Sequence, residues 1–168
     1  YLSSYNGSNA QLFYDRGFCS NPIASDRNFS LDTLLQEYPD FNQGDFRNPA
    51  YIIQTEDGKR VNRFYYDSFN IIEGKPKLEG LPSIYVNNEN EAKTLCIILK
   101  DVVMNASIYL YYTIFADYDV ICRHTEIINH GDKSIYLDKV MSFSMDFADS
   151  DYDVMTLSGA HLYEKNIY

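Results

Sequence analysis

The sequence runs to 168 residues, the size of one domain, and a chain this long buries roughly two-thirds of the surface its unfolded form exposes. Hydrophobic residues make up 45% of it, which excludes a disordered chain, and 24 acidic against 14 basic residues leave a formal charge of −10, so neither nucleic acid nor an anionic membrane surface is an expected partner. Sixteen Tyr and ten Phe, with no Trp, weight the composition toward strands.

Residues 1–50 are irregular in texture, rich in Asn, Asp, Ser and Gly and interrupted by Pro22, Pro39 and Pro49. Within them, Leu31 to Tyr38 can form a short helix capped by Ser30 and stopped by Pro39, or equally an ordered loop. The segment Gln43-Gly-Asp-Phe-Arg-Asn-Pro49 sets an acid, an aromatic and an arginine beside a glycine in a proline-bounded loop. Two readings stay open for it. One is an internal Asp–Arg lock. The other is a sugar contact, in which the ring covers the apolar face of a hexose and the charged groups hold its hydroxyls.

From Tyr51 to Ser158 the chain reads as strand after strand. Tyr51 to Glu56 and Lys59 to Tyr66 flank Asp57-Gly58, a pair suited to the positive φ of a tight turn, and predict a hairpin. Further strands are expected over 93–101, 106–116 and 119–129 and, after the turn at Asn129-His-Gly-Asp-Lys133, over 134–147. In the last of these, Met141, Phe143, Met145 and Phe147 alternate with Ser142, Ser144 and Asp146, which predicts one buried side. Between 107 and 115 both faces are bulky, with Ile108, Leu110, Tyr112 and Ile114 opposing Tyr109, Tyr111, Thr113 and Phe115. Such a strand, covered on both sides, is the middle of a sandwich sheet or sits under a neighbouring domain. The fold class is therefore all-β: a large, mostly antiparallel β-sandwich of about nine to eleven strands. It forms a single domain over 1–168, loop-rich over 1–50 and strand-rich over 51–158.

The chemistry is sparse. There is no nucleophile elbow and no phosphate-cradling glycine loop, and Ser158 and His161 stand three apart, on opposite faces of a strand. His124, His130 and His161 and the three cysteines Cys19, Cys96 and Cys122 lack metal-ligand spacing. His124 reads as a packed side chain on the face of Cys122, and His130 as a solvated turn residue. Asp149, Asp151 and Asp153 hold the first three acidic positions of a calcium loop, but Val154 stands where the bend needs Gly and Ala160 where a bidentate Glu is needed. No metal and no cofactor is expected. The odd cysteine count fits a reducing, cytoplasmic setting, and no charged-then-apolar leader is visible. The longest apolar-looking run, Ala106 to Ala116, falls short of the roughly 20 residues a membrane helix takes. The glycosylation triplets at Asn6, Asn28 and Asn105 read as chance. Carboxylate pairs such as Asp117 with Asp119, or Asp32 with Asp45, suit glycoside hydrolysis in kind, but no spacing marks either pair as catalytic.

Three stretches of the loop-rich part, Asp15-Arg-Gly-Phe18, Ser30-Leu-Asp-Thr-Leu-Leu-Gln-Glu-Tyr-Pro39 and Gly44-Asp-Phe-Arg-Asn-Pro-Ala50, resemble the amino-terminal domain of the large bacterial and fungal α-galactosidases of glycoside hydrolase family 36. Gly80-Leu-Pro-Ser-Ile-Tyr-Val86, Asp117-Tyr-Asp-Val-Ile-Cys-Arg123, Ile127-Ile-Asn-His-Gly-Asp132 and Leu157-Ser-Gly-Ala160 agree with it. The resemblance covers essentially the whole chain; Leu35 departs from it, standing where the family usually has Pro. It implies a β-supersandwich of the galactose-mutarotase type, followed in the full enzyme by a (β/α)8 barrel and a small β domain. It implies retaining hydrolysis of terminal α-galactosides such as melibiose and raffinose. Both catalytic aspartates then belong to the barrel beyond Tyr168, so this chain is expected to hold no catalytic residue and no activity of its own. It further implies a homo-oligomer, a tetramer, in which a loop of this domain reaches the rim of a neighbouring subunit's active site. Matched by motif, the substrate-binding positions are Asp32, Asp45, Phe46 and Arg47. The expected partners are thus the barrel of the same chain, the other subunits and α-galactosides. A stand-alone carbohydrate-binding module is the alternative. A third reading is a complete mutarotase-like epimerase with His124 and Glu126, two apart on one strand face, as its acid/base pair.

Overall fold

A computed structural model describes residues 37–41, 48–80, 83–145, 151, 153, 155, 157–159 and 166–167. Among them the chain forms β1 (Tyr51–Thr55), β2 (Tyr65–Glu73), β3 (Ala92–Asp101), β4 (Ala106–Phe115), β5 (Ile121–Asn129), β6 (Ile135–Val140), β7 (Leu157–Ser158) and β8 (Asn166–Ile167), with a single 3-10 turn at Glu89–Glu91. All pairings are antiparallel. The expected strands over 93–101, 106–116 and 119–129 are β3, β4 and β5.

The larger sheet is a meander in chain order, β2-β3-β4-β5. Its strands are rich in Ile, Tyr and Thr, the side chains that sit best on a pleated surface. Asp101 fixes the β3–β4 turn: one carboxylate oxygen accepts the N–H groups of Val103 and Met104 at 2.8 and 2.9 Å, and the other accepts that of Arg63 at 2.6 Å. Asn105 takes the left-handed position of that turn with φ 54°. As the bulky faces of 107–115 predict, β4 lies mid-sheet, with Ser107, Ile108, Leu110 and Thr113 buried.

A second layer, β1 paired with β6, covers one face of this sheet, here called the inner face. Tyr38, Ala50, Tyr51 and Ile53 from that side meet Ile108 and Leu110 of β4 in the core. Ile97, Leu99 and Ile127 flank them. Each layer carries a bulge, and in both the extra residue is an aspartate that makes an ion pair. Asp67 is skipped in the β2–β3 register and meets Lys100 at 3.0 Å; Asp138 is skipped in the β1–β6 register and meets Arg60 at 2.7 Å.

Two expectations are corrected. The Asp57-Gly58 turn is present, with Gly58 at φ +82° and its N–H bonded to Thr55 O at 2.9 Å, but no hairpin follows it. The carbonyl of Ile53, which a hairpin partner would have paired, accepts instead from the buried side-chain amide of Asn62 at 3.1 Å. β1 takes β6 as its partner, and the following strand starts only at Tyr65 and pairs with β3. The strand expected over 134–147 stops at Val140. Met141 N–H closes the ladder on Ala50 O at 2.8 Å; beyond it Met141, Phe143 and Met145 are 37%, 42% and 50% exposed rather than buried. Alternation alone does not make a strand where no neighbouring backbone continues the ladder. Among the described residues, no helix is long and apolar enough to cross a membrane.

Candidate functional site

Asp32, Asp45, Phe46 and Arg47 lie outside the described residues, as do His161, Asp149 and Phe147. The stem of the loop that carries Asp45, Phe46 and Arg47 is described, and it is firmly held. Ala50 N–H bonds to Pro39 O at 2.8 Å, closing the two ends of the loop on each other. Tyr38 stacks on Tyr51 with ring centroids 5.4 Å apart, and its hydroxyl donates to Met141 O at 2.5 Å. Tyr51 donates its own hydroxyl to Asp40 at 2.7 Å, fully inside the core. Burial and the neighbouring Asp40 carboxylate push the Tyr51 phenol far above its ordinary value, so it stays a donor at all ordinary pH. Lys139 adds an outer tie to Asn48 at 2.6 Å. Beside the stem is a small cleft lined by Phe41, Tyr51, Ile52, Ile53, Arg60 and Asn62.

Next to the stem sits a charged cluster on the inner face. Arg123 of β5 is paired across the ladder with Tyr112 of β4, and its guanidinium lies 3.7 Å above the Tyr112 ring, a cation–π contact. Its side chain is 6% exposed. Glu37 approaches it at 3.5 Å and accepts a hydrogen bond from the Tyr112 hydroxyl. Arg123 was not among the candidates taken from the sequence. The signal was available, because a basic residue at 123 shares its face with Thr125 and Ile127, both directed toward the core.

The outer face of the larger sheet carries the His124–Glu126 pair. The two do share a face, and Tyr111 of β4 lies between them. The His124 ring stacks on Tyr111 with centroids 4.2 Å apart, and the Tyr111 hydroxyl donates to Glu126 at 3.2 Å. Burial, with Cys96 and Glu126 nearby, pushes the Tyr111 phenol up. Burial, then Lys75, pulls the imidazole of His124 below its ordinary value. Glu126 is already occupied by the phenol and His124 is packed flat against a ring, the packed state expected for that histidine. His130 is exposed as expected, and also meets the Ser107 hydroxyl at 2.9 Å. Asp117 and Asp119 are exposed in the β4–β5 turn. Among the described residues no group of three or more His, Cys, Asp or Glu could hold a metal ion.

Stacked antiparallel layers, with polar groups of the described residues spent on stems and turns, define a β-sandwich module. Comparison with known proteins gives the family. The glycosyl hydrolase family 36 N-terminal domain matches residues 5–168, and the chain belongs to that family. It is 46% identical over 146 residues to the α-galactosidase AgaA of Geobacillus stearothermophilus, covering 87% of this chain and 20% of that protein. To the α-galactosidase Mel36A of Lactobacillus acidophilus it is 42% identical over 163 residues, covering 95% of this chain and 22% of that protein. The crystal structure of an AgaA variant bound to 1-deoxygalactonojirimycin superposes with a TM-score of 0.83 at 42% identity, over 100% of this chain and 23% of that one. The chain thus spans about a fifth of the length of the relatives it matches.

Proposed function

We propose that this chain is the non-catalytic amino-terminal β-sandwich of a retaining α-galactosidase, which hydrolyses terminal α-galactosides of the melibiose and raffinose type. The observation that carries this reading is the match of nearly the whole chain to an N-terminal family domain, at 46% identity to an α-galactosidase of which it covers only 20%. AgaA structures with stachyose and with raffinose support the substrate class. Retaining chemistry needs two carboxyl groups flanking the scissile bond about 5 Å apart. Among the described residues, the sandwich faces offer packed rings and exposed single acids instead. As the family resemblance implies, both catalytic aspartates belong to a barrel in the remaining four-fifths of the enzyme, and the sandwich supports that barrel and a tetramer.

Within that assembly Asp32 and the segment between Pro39 and Ala50 are the parts of this chain that touch sugar. Asp32, Asp45, Phe46 and Arg47 lie at the rim of a neighbouring subunit's active site, where Arg offers a fork of donors and Asp a strong acceptor for hydroxyls. Two measurements test the proposal. The full-length enzyme is expected to hydrolyse an aryl α-galactoside, and the 168-residue chain alone is not. In the full-length tetramer, Arg47→Ala is expected to raise KM for raffinose by about tenfold or more, the loss of one charge-assisted hydrogen bond. Unchanged kcat and KM in an intact tetramer would remove Arg47 from the site. Calorimetric titration of the 168-residue chain with galactose and raffinose addresses the alternative of a free-standing binding module, which would bind at millimolar or tighter affinity.

A further inference from the structure

The segment 42–47 has two flanks, and they are held by different means. On the Ala50 side the hold is regular backbone: Tyr51 opens β1 opposite Val140 of β6, and Met141 N–H bonds to Ala50 O at 2.8 Å. On the other side no residue from 37 to 41 lies in a strand. Pro39 O accepts from Ala50 N–H, and among the described residues the rest of the hold comes from side chains. Tyr38 and Asp40 turn to Tyr51 in the core. Glu37 turns instead to the inner face of the larger sheet, where Arg123 and Tyr112 meet it.

The Arg123 side chain is 6% exposed and that of Glu37 28%. The guanidinium sits 3.7 Å above the Tyr112 ring, and the hydroxyl of that ring donates to Oε1 of Glu37, the same oxygen that faces the guanidinium at 3.5 Å. Groups from two neighbouring strands thus converge on one carboxylate oxygen. A cation buried this deeply carries a desolvation penalty that a fixed partner must offset, and a guanidinium keeps its charge at every ordinary pH. Tyr112 and Arg123 are opposite each other in the continuous β4–β5 ladder, so the carboxylate conforms to the sheet and not the reverse.

We infer that Arg123 is a positioning residue for galactoside binding: with Tyr112 it seats Glu37, and so sets the course of the flank 37–41 that leads into the segment between Pro39 and Ala50. It rests on the proposed function for the sugar contacts of Asp45, Phe46 and Arg47. Arg123 acts through Glu37 and touches no sugar itself. Contacts at the rim of a site hold the substrate alike in its ground and transition states, so misplacing them raises KM and spares kcat. A residue that only stabilises the fold behaves otherwise: its loss leaves less folded enzyme, which lowers the apparent kcat at an unchanged KM.

The test is steady-state hydrolysis of raffinose by the full-length enzyme. Arg123→Leu is expected to raise KM by about threefold to tenfold, with kcat within about twofold of the parent. Glu37→Gln removes the opposite charge from a half-buried side chain and keeps an acceptor for the Tyr112 hydroxyl; it is expected to do the same, and it carries the test if Arg123→Leu does not fold. Arg123→Leu combined with Arg47→Ala is expected to raise KM by less than the product of the two separate effects, because one disturbs what the other deletes. Gly74→Ala, a backbone strain at the far end of β2 where φ is +76°, is expected to lower stability and leave KM unchanged. An unchanged KM in Arg123→Leu and Glu37→Gln, with Arg47→Ala raising it, overturns the inference and leaves the functional reading standing. Effects of Arg123→Leu and Arg47→Ala that multiply in full, or a KM raised as much by Gly74→Ala, also overturn it. An unchanged KM in Arg47→Ala sinks the reading of the segment, and this inference with it.

Discussion

The phenol of Tyr51 and the imidazole of His124 are side chains whose proton state the fold shifts, in opposite surroundings. Tyr51 is buried, stacked on Tyr38, edge-on to Phe64, and bonded to Asp40. Tyr51→Phe keeps the rings and deletes only the donor, so the expected loss is about 1–3 kcal/mol of stability, read as a lowered urea midpoint with an unchanged slope. His124 is held below its ordinary pKa of 6.5 by burial, then by the positive charge of Lys75, with Glu126 opposing them. In the window just below 6.5 the unfolded chain binds a proton that the folded chain refuses. Stability is therefore complete above that window and declines as the pH falls through it. The urea midpoint is expected to drop between about pH 7.5 and pH 5.5, above the carboxylate range, and His124→Phe to flatten this step. The packing of His124 was legible from its place beside Cys122 in an alternating strand. The cation at 123 was legible in position but not in consequence, because nothing local shows that Tyr112 lies across the ladder from it.

Among the elements, the turns decide what could be foreseen. β3, β4 and β5 follow one another through short connections, so their alternation and their punctuation agree, and the sequence reading places them within a residue or two. β1 and β6 are joined by neither. Their pairing brings Arg60 to Asp138, 78 residues away, and Tyr38 to Met141, 103 residues away, and no local pattern encodes such a choice. The glycines that punctuate β1 and β2 are unequal. Gly58 and Gly74 both have positive φ, +82° and +76°, but a Cβ on Gly58 meets nothing within 4 Å, whereas one on Gly74 comes to 3.2 Å from the backbone of Glu89. Gly74 also donates to Ala92 O at 2.8 Å and accepts from the buried Thr94 hydroxyl at 2.8 Å. Gly58→Ala is expected to lose about 1–2 kcal/mol from the left-handed backbone alone. Gly74→Ala is expected to lose more, because the Glu89–Glu91 turn must also shift, and paired urea denaturation curves give the difference.

For the whole molecule, composition and alternation point to a sandwich of layers, and the family match over 5–168 agrees with it. Asp32, Asp45, Phe46 and Arg47 were reached through the motif, not through geometry, and the described residues show only how the flanks of 42–47 are held. The distance between β1 and β6 along the chain has a consequence for biosynthesis. At about 5–20 residues per second a ribosome needs roughly 4–16 s to make the 78 residues that separate Arg60 from Asp138. An interval of that length separates the emergence of β1 from that of β6, and during it Tyr51, Ile52 and Ile53 have no strand to receive them. The meander can zip up hairpin by hairpin meanwhile, so nascent chains stalled before Ile135 would present an aggregation-prone ribbon, and a chaperone that shields it has several seconds in which to act.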